Sequence, residues 1–170
     1  MTGLIITGGK ANITDVRSYL KQLAAIGSEC GVTVQAVNAD LVAGRGHIEF
    51  AVNKAIGSFE QKRNLARDMG MEIMLYLRGR RQIERALDFG VKNGMNNVAI
   101  LIIGDSADCA LPRVRAMLES VDESVIDYTP VKDNALMRLF EITPAEIEIV
   151  GSDRIPMLVR ERSALLEFEK

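Results

Sequence analysis

The sequence predicts a single domain of the α/β or α+β class over residues 1–170, with a mixed central β-sheet packed against helices. Two apolar runs of strand length, MEIMLYL and NVAILII, are nearly continuous, which is typical of central strands buried on both faces. Segments with apolar residues at helical spacing alternate with these runs. Hydrophobic residues make up 48% of the chain and charged residues 26%, as in globular proteins with a sizeable core.

The first half of the chain is predicted to hold two strands and two helices. We expect a strand over Gly3 to Thr7, a turn at ITGGK, and a helix that Thr14 caps. The first connection is equally compatible with an antiparallel pair. The segment GVTVQAV alternates apolar and polar residues and predicts a half-buried strand. A second helix is expected over His47 to Gln61 and a short one over Asn64 to Met69.

The second half is predicted to contain the two apolar strands and then mainly helices. MEIMLYL and NVAILII are the strands, separated by a helix over Arg80 to Phe89. After Gly104 the sequence predicts further helices, which are placed as follows: a segment interrupted by Pro112, Asp133 to Phe140, a short one after Pro144, and one from about Arg154.

The opening residues and the cysteines indicate a cytoplasmic protein without a cofactor. MTGLIITGGK lacks the basic and long apolar regions of a signal peptide. No apolar run approaches the roughly 18 residues that span a bilayer. Two cysteines, Cys30 and Cys109, predict neither a disulfide framework nor a metal site.

Charge is distributed unevenly along the chain. The net charge of −2 argues against a generally basic nucleic-acid binder. From Gly44 to Arg85, however, nine basic residues stand against five acidic ones, while the remainder holds 12 basic and 18 acidic residues. A positive segment within an acidic chain predicts a local site for an anion.

A catalytic constellation is not expected, and metal ligands are not expected either. The motif IIGDSADC resembles the nucleophile of GDS-type hydrolases, which would use Ser106. Such a serine needs a histidine base, and the one histidine, His47, lies upstream of it, whereas those hydrolases carry theirs near the C-terminus. We favour a cap of the next helix by Asp105 or Ser106. The sequence is therefore more consistent with binding than with catalysis.

The second helix carries an aromatic row outside its core face. At about 100° per residue, Ile48 and Val52 lie on the core stripe, and His47, Phe50 and Lys54 lie on another. An aromatic ring beside an imidazole and an amine suits a nucleotide. Its base can stack on the ring, and its phosphates can lie near the cationic side chains. Alternatively, Phe50 packs beneath a loop and His47 is an ordinary surface residue.

The stretch LYLRGRRQI predicts a strand, a glycine turn and a helix that begins on arginines. Positive charge is unfavourable at a helix N-terminus, by roughly 0.3–1 kcal/mol per charge. A phosphate bound by Arg78, Arg80 and Arg81 at the open helix end would offset this cost. The alternative is a salt-bridged surface in which Arg81 pairs with Glu84, or Arg85 pairs with Asp88 or Glu84.

Two longer stretches, NADLVAGRGHIEFAVNKAI and RNLARDMGMEIMLYLRGRRQIERAL, resemble the kinase-binding, tRNA-docking subunit of the KEOPS (EKC) complex, called the PRPK-binding protein in animals. The resemblance covers roughly Asn38 to Val91. Arg78 departs from it, since a small polar residue is expected before the glycine. The positions that carry it are His47, Ala51, Ala55, Ile56, Arg63, Asn64, Glu72, Ile73, Leu75, Tyr76, Leu77, Gly79, Arg81, Gln82 and Ile83.

The resemblance implies a non-catalytic subunit with two partners. KEOPS installs threonylcarbamoyl on the adenosine beside the anticodon of tRNAs that read codons starting with A, and its transferase subunit does the chemistry. The subunit resembled here binds a small atypical kinase that acts as an ATPase, and captures the single-stranded 3′ CCA end of tRNA. The compact chain favours the archaeal branch. With the basic segment, this gives the candidate RNA-binding residues His47, Phe50, Lys54, Arg63, Arg78, Arg80 and Arg81.

The helix-rich part after Gly104 offers candidates for the kinase contact. Apolar residues recur there at helical spacing, and the candidate partner-binding residues are Leu136, Leu139, Phe140 and Leu158. The alternative is that all of them are core. Two other functions stay open at this point: an interaction module that binds no RNA, and a small hydrolase that uses Ser106.

Overall fold

The computed structural model describes residues 3–169. Its strands and helices follow one another in this order: β1 (Leu4–Ile13), α1 (Val16–Cys30), β2 (Thr33–Asn38), α2 (Arg45–Glu60), α3 (Met69–Arg78), α4 (Ile83–Ala86), β3 (Gly94–Ile103), α5 (Ala107–Arg115), β4 (Ser120–Val121), α6 (Asp133–Leu139), α7 (Pro144–Val150), α8 (Ile155–Ala164) and α9 (Leu166–Glu169). The α+β class is confirmed. The chain divides into two compact units: residues up to Ala39 with Gly90–Ile126, and Asp40–Phe89 with the residues from Asp127. The single-domain boundary stays a prediction.

The first unit is built on a sheet with the strand order β2-β3-β1-β4. Every pairing in the described sheet is antiparallel, so the prediction of a mixed sheet is wrong in this respect. The reason is that β3 lies between β1 and β2 and runs against both, which separates the two strands that α1 connects. Sequence order alone does not show which strands become neighbours.

Strand β1 is longer than predicted, because ITGGK belongs to it and is not a turn. Both of its glycines lie where neighbouring backbone comes close. A Cβ on Gly9 would lie 2.0 Å from the carbonyl oxygen of Ser120, and one on Gly8 would lie 2.9 Å from that of Val98. The glycines therefore permit close strand pairing rather than a change of direction.

Helices α1 and α5 bury their apolar residues against this sheet, together with Val98, Ile100 and Ile102 of β3. Asp15, not Thr14 as predicted, caps α1, since its carboxylate accepts hydrogen bonds from two backbone N–H groups. A disulfide joins Cys30 and Cys109, with 5.7 Å between their Cα atoms. The prediction that these cysteines form no disulfide is wrong, because the fold brings together two residues that lie 79 positions apart.

The second unit is helical, and the predicted strand MEIMLYL is the buried helix α3 in it. Asp68 caps its N-terminus by accepting a hydrogen bond from Met71 N–H, and Gly79 ends it in the left-handed conformation, with φ of +74°. An apolar run of this length does not distinguish a buried strand from a buried helix by periodicity. The caps at both ends were the signal for a helix.

Two other predicted helices differ from the structure. The segment Asn64 to Met69 is mostly loop, because its backbone bonds to a carboxylate of α3 instead of to itself. The predicted helix Arg80 to Phe89 shrinks to α4 and a 3-10 turn over Leu87–Phe89. The predictions for α1, α2, β2, β3, α6, α7 and α8 are confirmed to within a few residues.

Candidate functional site

Helix α2 presents Phe50 and Lys54 side by side. The Lys54 ammonium lies 5.7 Å from the centroid of the Phe50 ring, and both side chains are partly exposed. This spacing is that of a cation–π contact. The two residues thus form the exposed aromatic and cationic pair that the helical spacing predicts, and their contact with RNA stays a prediction.

A cavity of about 370 Å³ opens beside Lys54, and we call it the tyrosine cavity. The Tyr76 hydroxyl donates a hydrogen bond of 2.5 Å to Glu167 Oε1, and Arg63 lies 3.9 Å from the other oxygen of the same carboxylate. Burial, followed by the bond to Glu167, raises the pKa of Tyr76, so this phenol stays a donor. The cavity is lined by Asn53, Lys54, Gly57, Ser58, Gln61, Arg63, Tyr76 and Glu167.

A buried carboxylate holds the loop that carries Arg63. Glu72 is fully buried on α3, and its Oε2 accepts hydrogen bonds from the backbone N–H groups of Leu65 and Ala66 at 2.9 and 2.8 Å. Its Oε1 accepts a third from the Ser58 hydroxyl, at 2.9 Å. Three donors compensate for the burial of one charge and fix the loop against two helices. Glu72 is the one acid within the apolar run of α3, which was the signal that it has a structural role.

His47 does not belong to an exposed row, because its ring is completely buried. Nδ1 accepts a hydrogen bond from the Ala43 N–H at 3.1 Å, so the proton is on Nε2, which donates to the Leu77 carbonyl at 2.9 Å. The ring also packs edge-on against Phe89 and Phe140. Burial lowers the pKa of His47 to about 4, so the imidazole is neutral at physiological pH. The prediction that His47 shares an exposed row with Phe50 and Lys54 is therefore wrong, and its contact with RNA stays a prediction without support from its position.

The arginine turn, Arg78 to Arg81, follows the end of a helix and does not begin one. Arg78 is the last residue of α3, where the helix dipole favours positive charge. The expected dipole penalty is therefore absent. Glycine is required at position 79, because a Cβ there would lie 2.3 Å from the carbonyl oxygen of Arg162.

The three arginines of the turn have different environments. Arg78 is 6% exposed, forms an ion pair with Asp88 at 3.2 Å, and lies over the Phe140 ring at 5.7 Å. Burial makes Arg78 chiefly a structural residue. Arg80 is partly exposed, and the Arg81 side chain is exposed, so these two are accessible to a ligand.

The turn lies within a wider arginine-rich surface, which we call the arginine surface. Five arginines and two acids line three adjoining cavities: Arg78, Arg80, Arg85, Arg138 and Arg162, with Asp88 and Glu141. Glu146 holds Arg162 through two hydrogen bonds of 2.7 and 2.8 Å, and this guanidinium lowers the pKa of the Glu146 carboxyl. Guanidinium groups can bind phosphate oxygens in a bidentate manner.

The sequence did not predict that Arg138, Arg162, Glu141 or Glu167 contributes to these sites. Each lies about 60 to 100 positions from the basic segment with which it associates. No local pattern marks such residues, since only the fold brings them together.

Comparison with known proteins assigns the chain to a family. The family model described as "Kinase binding protein CGI-121" matches residues 11–164. The chain belongs to this kinase-binding family. "Regulatory protein Cgi121" from the archaeon Methanocaldococcus jannaschii is 27% identical over 141 residues, which cover 82% of this chain and 87% of the relative. The resemblance noted in the sequence is confirmed, and both descriptions fit a non-catalytic regulatory subunit.

The residues predicted to bind the kinase are mostly core in this CGI-121 family member. Leu136, Phe140 and Leu158 are buried, and a partner cannot reach them without a conformational change. Leu139 is partly exposed and lines one cavity of the arginine surface. Their helical spacing reflected packing within the second unit, which is the alternative that the sequence left open.

Within residues 3–169, the surroundings of Ser106 and His47 give no support to the hydrolase hypothesis. Ser106 occupies the cap position of α5, but its side chain makes no capping hydrogen bond, so the predicted capping role is not observed. Both nitrogens of the one histidine are occupied by backbone groups of the second unit.

Among residues 3–169, no helix is long and apolar enough to cross a membrane. The same residues contain no group of three or more His, Cys, Asp or Glu side chains placed to hold a metal ion.

Proposed function

We propose that this protein is a non-catalytic subunit of a KEOPS tRNA threonylcarbamoyladenosine-modification complex in the cytoplasm. It binds the small atypical kinase, which acts as an ATPase, and the single-stranded 3′ CCA end of tRNA, and it contacts the transferase subunit only indirectly. Membership of the CGI-121 kinase-binding family supports the kinase partner. The tRNA partner rests on the resemblance and on the chemistry of the second unit.

The observation that carries the RNA proposal is the concentration of guanidinium groups on one surface. Five arginines line the arginine surface, where Asp88, Glu141, Glu146 and Glu169 pair with three of them, so guanidinium groups are concentrated there although the whole chain has a net charge of −2. Arg80 and Arg81 are placed to bind phosphates, and Arg63 and Lys54 lie beside the tyrosine cavity. Phe50 offers a ring on which an unstacked base can pack. Such a mixture suits single-stranded RNA better than a duplex.

We place the kinase contact on α7 instead of on the buried leucines. Every residue of α7 is at least partly exposed, and Ile149 is 84% exposed. Covering this apolar side chain with a partner would remove it from water, which is favourable. The family description supplies the partner, a kinase.

Titration with labelled tRNA tests the RNA proposal. Full-length tRNA should bind, and removal of the CCA nucleotides should abolish most of the affinity, because the proposed contacts are made by the single-stranded end. Equal affinity for the trimmed and full-length forms would contradict the proposal and would favour an interaction module that does not recognise the CCA end.

Phe50→Ala should weaken tRNA binding by about 1–3 kcal/mol if a base stacks on the ring.

Co-purification with the kinase tests the second contact. Ile149→Glu should abolish co-purification, since it places a charge in an apolar interface. Met95→Glu is the matched control, because Met95 is a large exposed apolar residue of the first unit. Retention of the kinase by folded Ile149→Glu protein would refute the placement on α7.

A further inference from the structure

The last described helix, α9, places two glutamates on two separate groups of positively charged or hydrogen-bond-donating residues. Glu167 accepts from the Tyr76 hydroxyl at 2.5 Å and lies 3.9 Å from the Arg63 guanidinium. Glu169 lies 3.6 Å from the Arg80 guanidinium and accepts from the Arg81 backbone N–H at 3.3 Å. The two residues are therefore in contact with the tyrosine cavity and with the arginine turn, respectively.

The helical geometry explains how one short segment reaches both places. Residues two positions apart in a helix project about 200° from each other. Glu167 and Glu169 thus point in different directions, while Phe168 between them is 86% exposed. Four residues are enough to contact both groups of donors.

The donors that hold these carboxylates are of the kinds that bind phosphate. A phenol O–H, a guanidinium and a backbone N–H each donate to an anionic oxygen without regard to whether carbon or phosphorus carries it. A phosphodiester could therefore take the place of either glutamate. Both ion pairs are partly exposed, and such pairs contribute little to stability, so a multivalent anion can displace them.

We propose that Glu167 and Glu169 occupy two phosphate positions in cis, so that α9 competes with a polyanion of linked phosphates and is displaced when it binds. This deepens the proposed function and rests on it for the identity of the ligand. The competition lowers affinity for single or weakly charged anions. It selects for chains that fill both positions at once.

The test uses two probes on the full chain, linear polyphosphate and a single-stranded RNA that ends in CCA. Glu167→Gln, Glu169→Gln and the double variant remove the charge and keep an oxygen that can accept the Tyr76 O–H or the Arg81 N–H. Glu148→Gln is the matched control, since it removes one exposed negative charge from α7. Each single variant should bind polyphosphate roughly two- to fivefold more tightly than the control does, the size expected for an exposed ion pair that no longer competes.

The outcomes separate this proposal from the proposed function. If polyphosphate affinity rises in the α9 variants while no variant binds the RNA, the competition is supported and the RNA function fails. If the RNA binds the wild type but the double variant binds both probes no more tightly than Glu148→Gln, the RNA function stands and the competition is overturned.

A spectroscopic readout reports displacement itself. The chain has three tyrosines and no tryptophan, so a tyrosine difference spectrum is not masked. Addition of polyphosphate should change this spectrum as the Tyr76–Glu167 bond breaks, and the change should be missing from Tyr76→Phe. No spectral change in the wild type at saturating polyphosphate would overturn the displacement of Glu167.

Discussion

His47 shows, at the scale of single residues, how burial determines the role of a side chain. Its position on α2 next to Phe50 and Lys54 could be read from helical spacing, but its burial could not. Phe89 and Phe140 enclose the ring from segments about 40 and 90 positions away. Helical periodicity describes one helix and carries no information about what packs on it. The chemistry of Phe50 and Lys54 was therefore predictable, while that of His47 was not.

The single histidine makes its own titration measurable. Its pKa in the folded protein is about 4, below the ordinary value of 6.5, so between these values the unfolded chain binds more protons than the folded one. The free energy of unfolding should fall as the pH drops from about 6.5 towards 4, by on the order of 3 kcal/mol in total. Nuclear magnetic resonance of the buried His47 imidazole should show no protonation above about pH 5. An inflection near pH 6.5 in the folded protein would contradict the buried assignment.

Arg78 and Arg80 are expected to separate stability from binding. Arg78→Ala removes a buried guanidinium that pairs with the partly exposed Asp88 and packs on Phe140, and should lower the free energy of unfolding by roughly 1–3 kcal/mol. Arg80→Ala breaks only partly exposed ion pairs and should lower the free energy of unfolding by less than about 1 kcal/mol. Urea denaturation of the two variants measures both values. A larger loss for Arg80→Ala would mean that this arginine is the structural one.

At the scale of elements, capping residues carried more information than apolar runs did. Most helices were predictable because their periodicity fits one structure only, whereas β3 was predicted correctly from the same kind of apolar run that was misassigned in α3. Helix α3 was not, since its apolar run is compatible with either structure. Asp68 and Gly79 were the distinguishing residues. The two-residue strand β4 is too short for any pattern, and only its pairing with β1 creates it.

Two glycines of the second unit should respond to alanine in opposite ways. At Gly79, alanine would be strained, because φ is +74° and a Cβ would lie 2.3 Å from the Arg162 carbonyl oxygen. We expect Gly79→Ala to lower the free energy of unfolding by more than about 2 kcal/mol, of which roughly 1–2 kcal/mol comes from the left-handed conformation alone. Gly57 lies inside α2, and a Cβ there meets nothing within 4 Å. Gly57→Ala should raise stability by up to about 1 kcal/mol. Thermal unfolding compares them, and equal effects would contradict the assignment of Gly79 as an obligatory helix end.

At the scale of the whole molecule, contacts between residues far apart in the sequence could not be predicted. The charge asymmetry predicts an anion site, which stays a prediction, but it did not indicate that Glu141, Glu167 and Glu169 approach the basic segment. The disulfide is a second example, since two cysteines far apart in sequence carry no signal of pairing. Both features depend on the tertiary fold and not on local pattern.

The disulfide should contribute to stability by restricting the unfolded chain. Cys30 and Cys109 close a loop of 79 positions, and the loss of chain entropy for a loop of this size corresponds to a stabilisation of roughly 4–5 kcal/mol. The double variant Cys30→Ser with Cys109→Ser should therefore lower the free energy of unfolding by that amount. Reduced wild-type protein is the control and should lose a similar amount. Unchanged stability in both would show that the bond does not restrict the unfolded state.

The most direct test of the central claim, that guanidinium groups of the arginine turn hold phosphates of the tRNA end, is the salt dependence of binding. The dissociation constant for a single-stranded RNA ending in CCA is measured over a range of salt concentrations, for the wild type and for Arg80→Ala. Loss of one phosphate contact should weaken binding and reduce the slope of log affinity against log salt by about 0.7. The same slope and the same affinity in folded Arg80→Ala would contradict the claim.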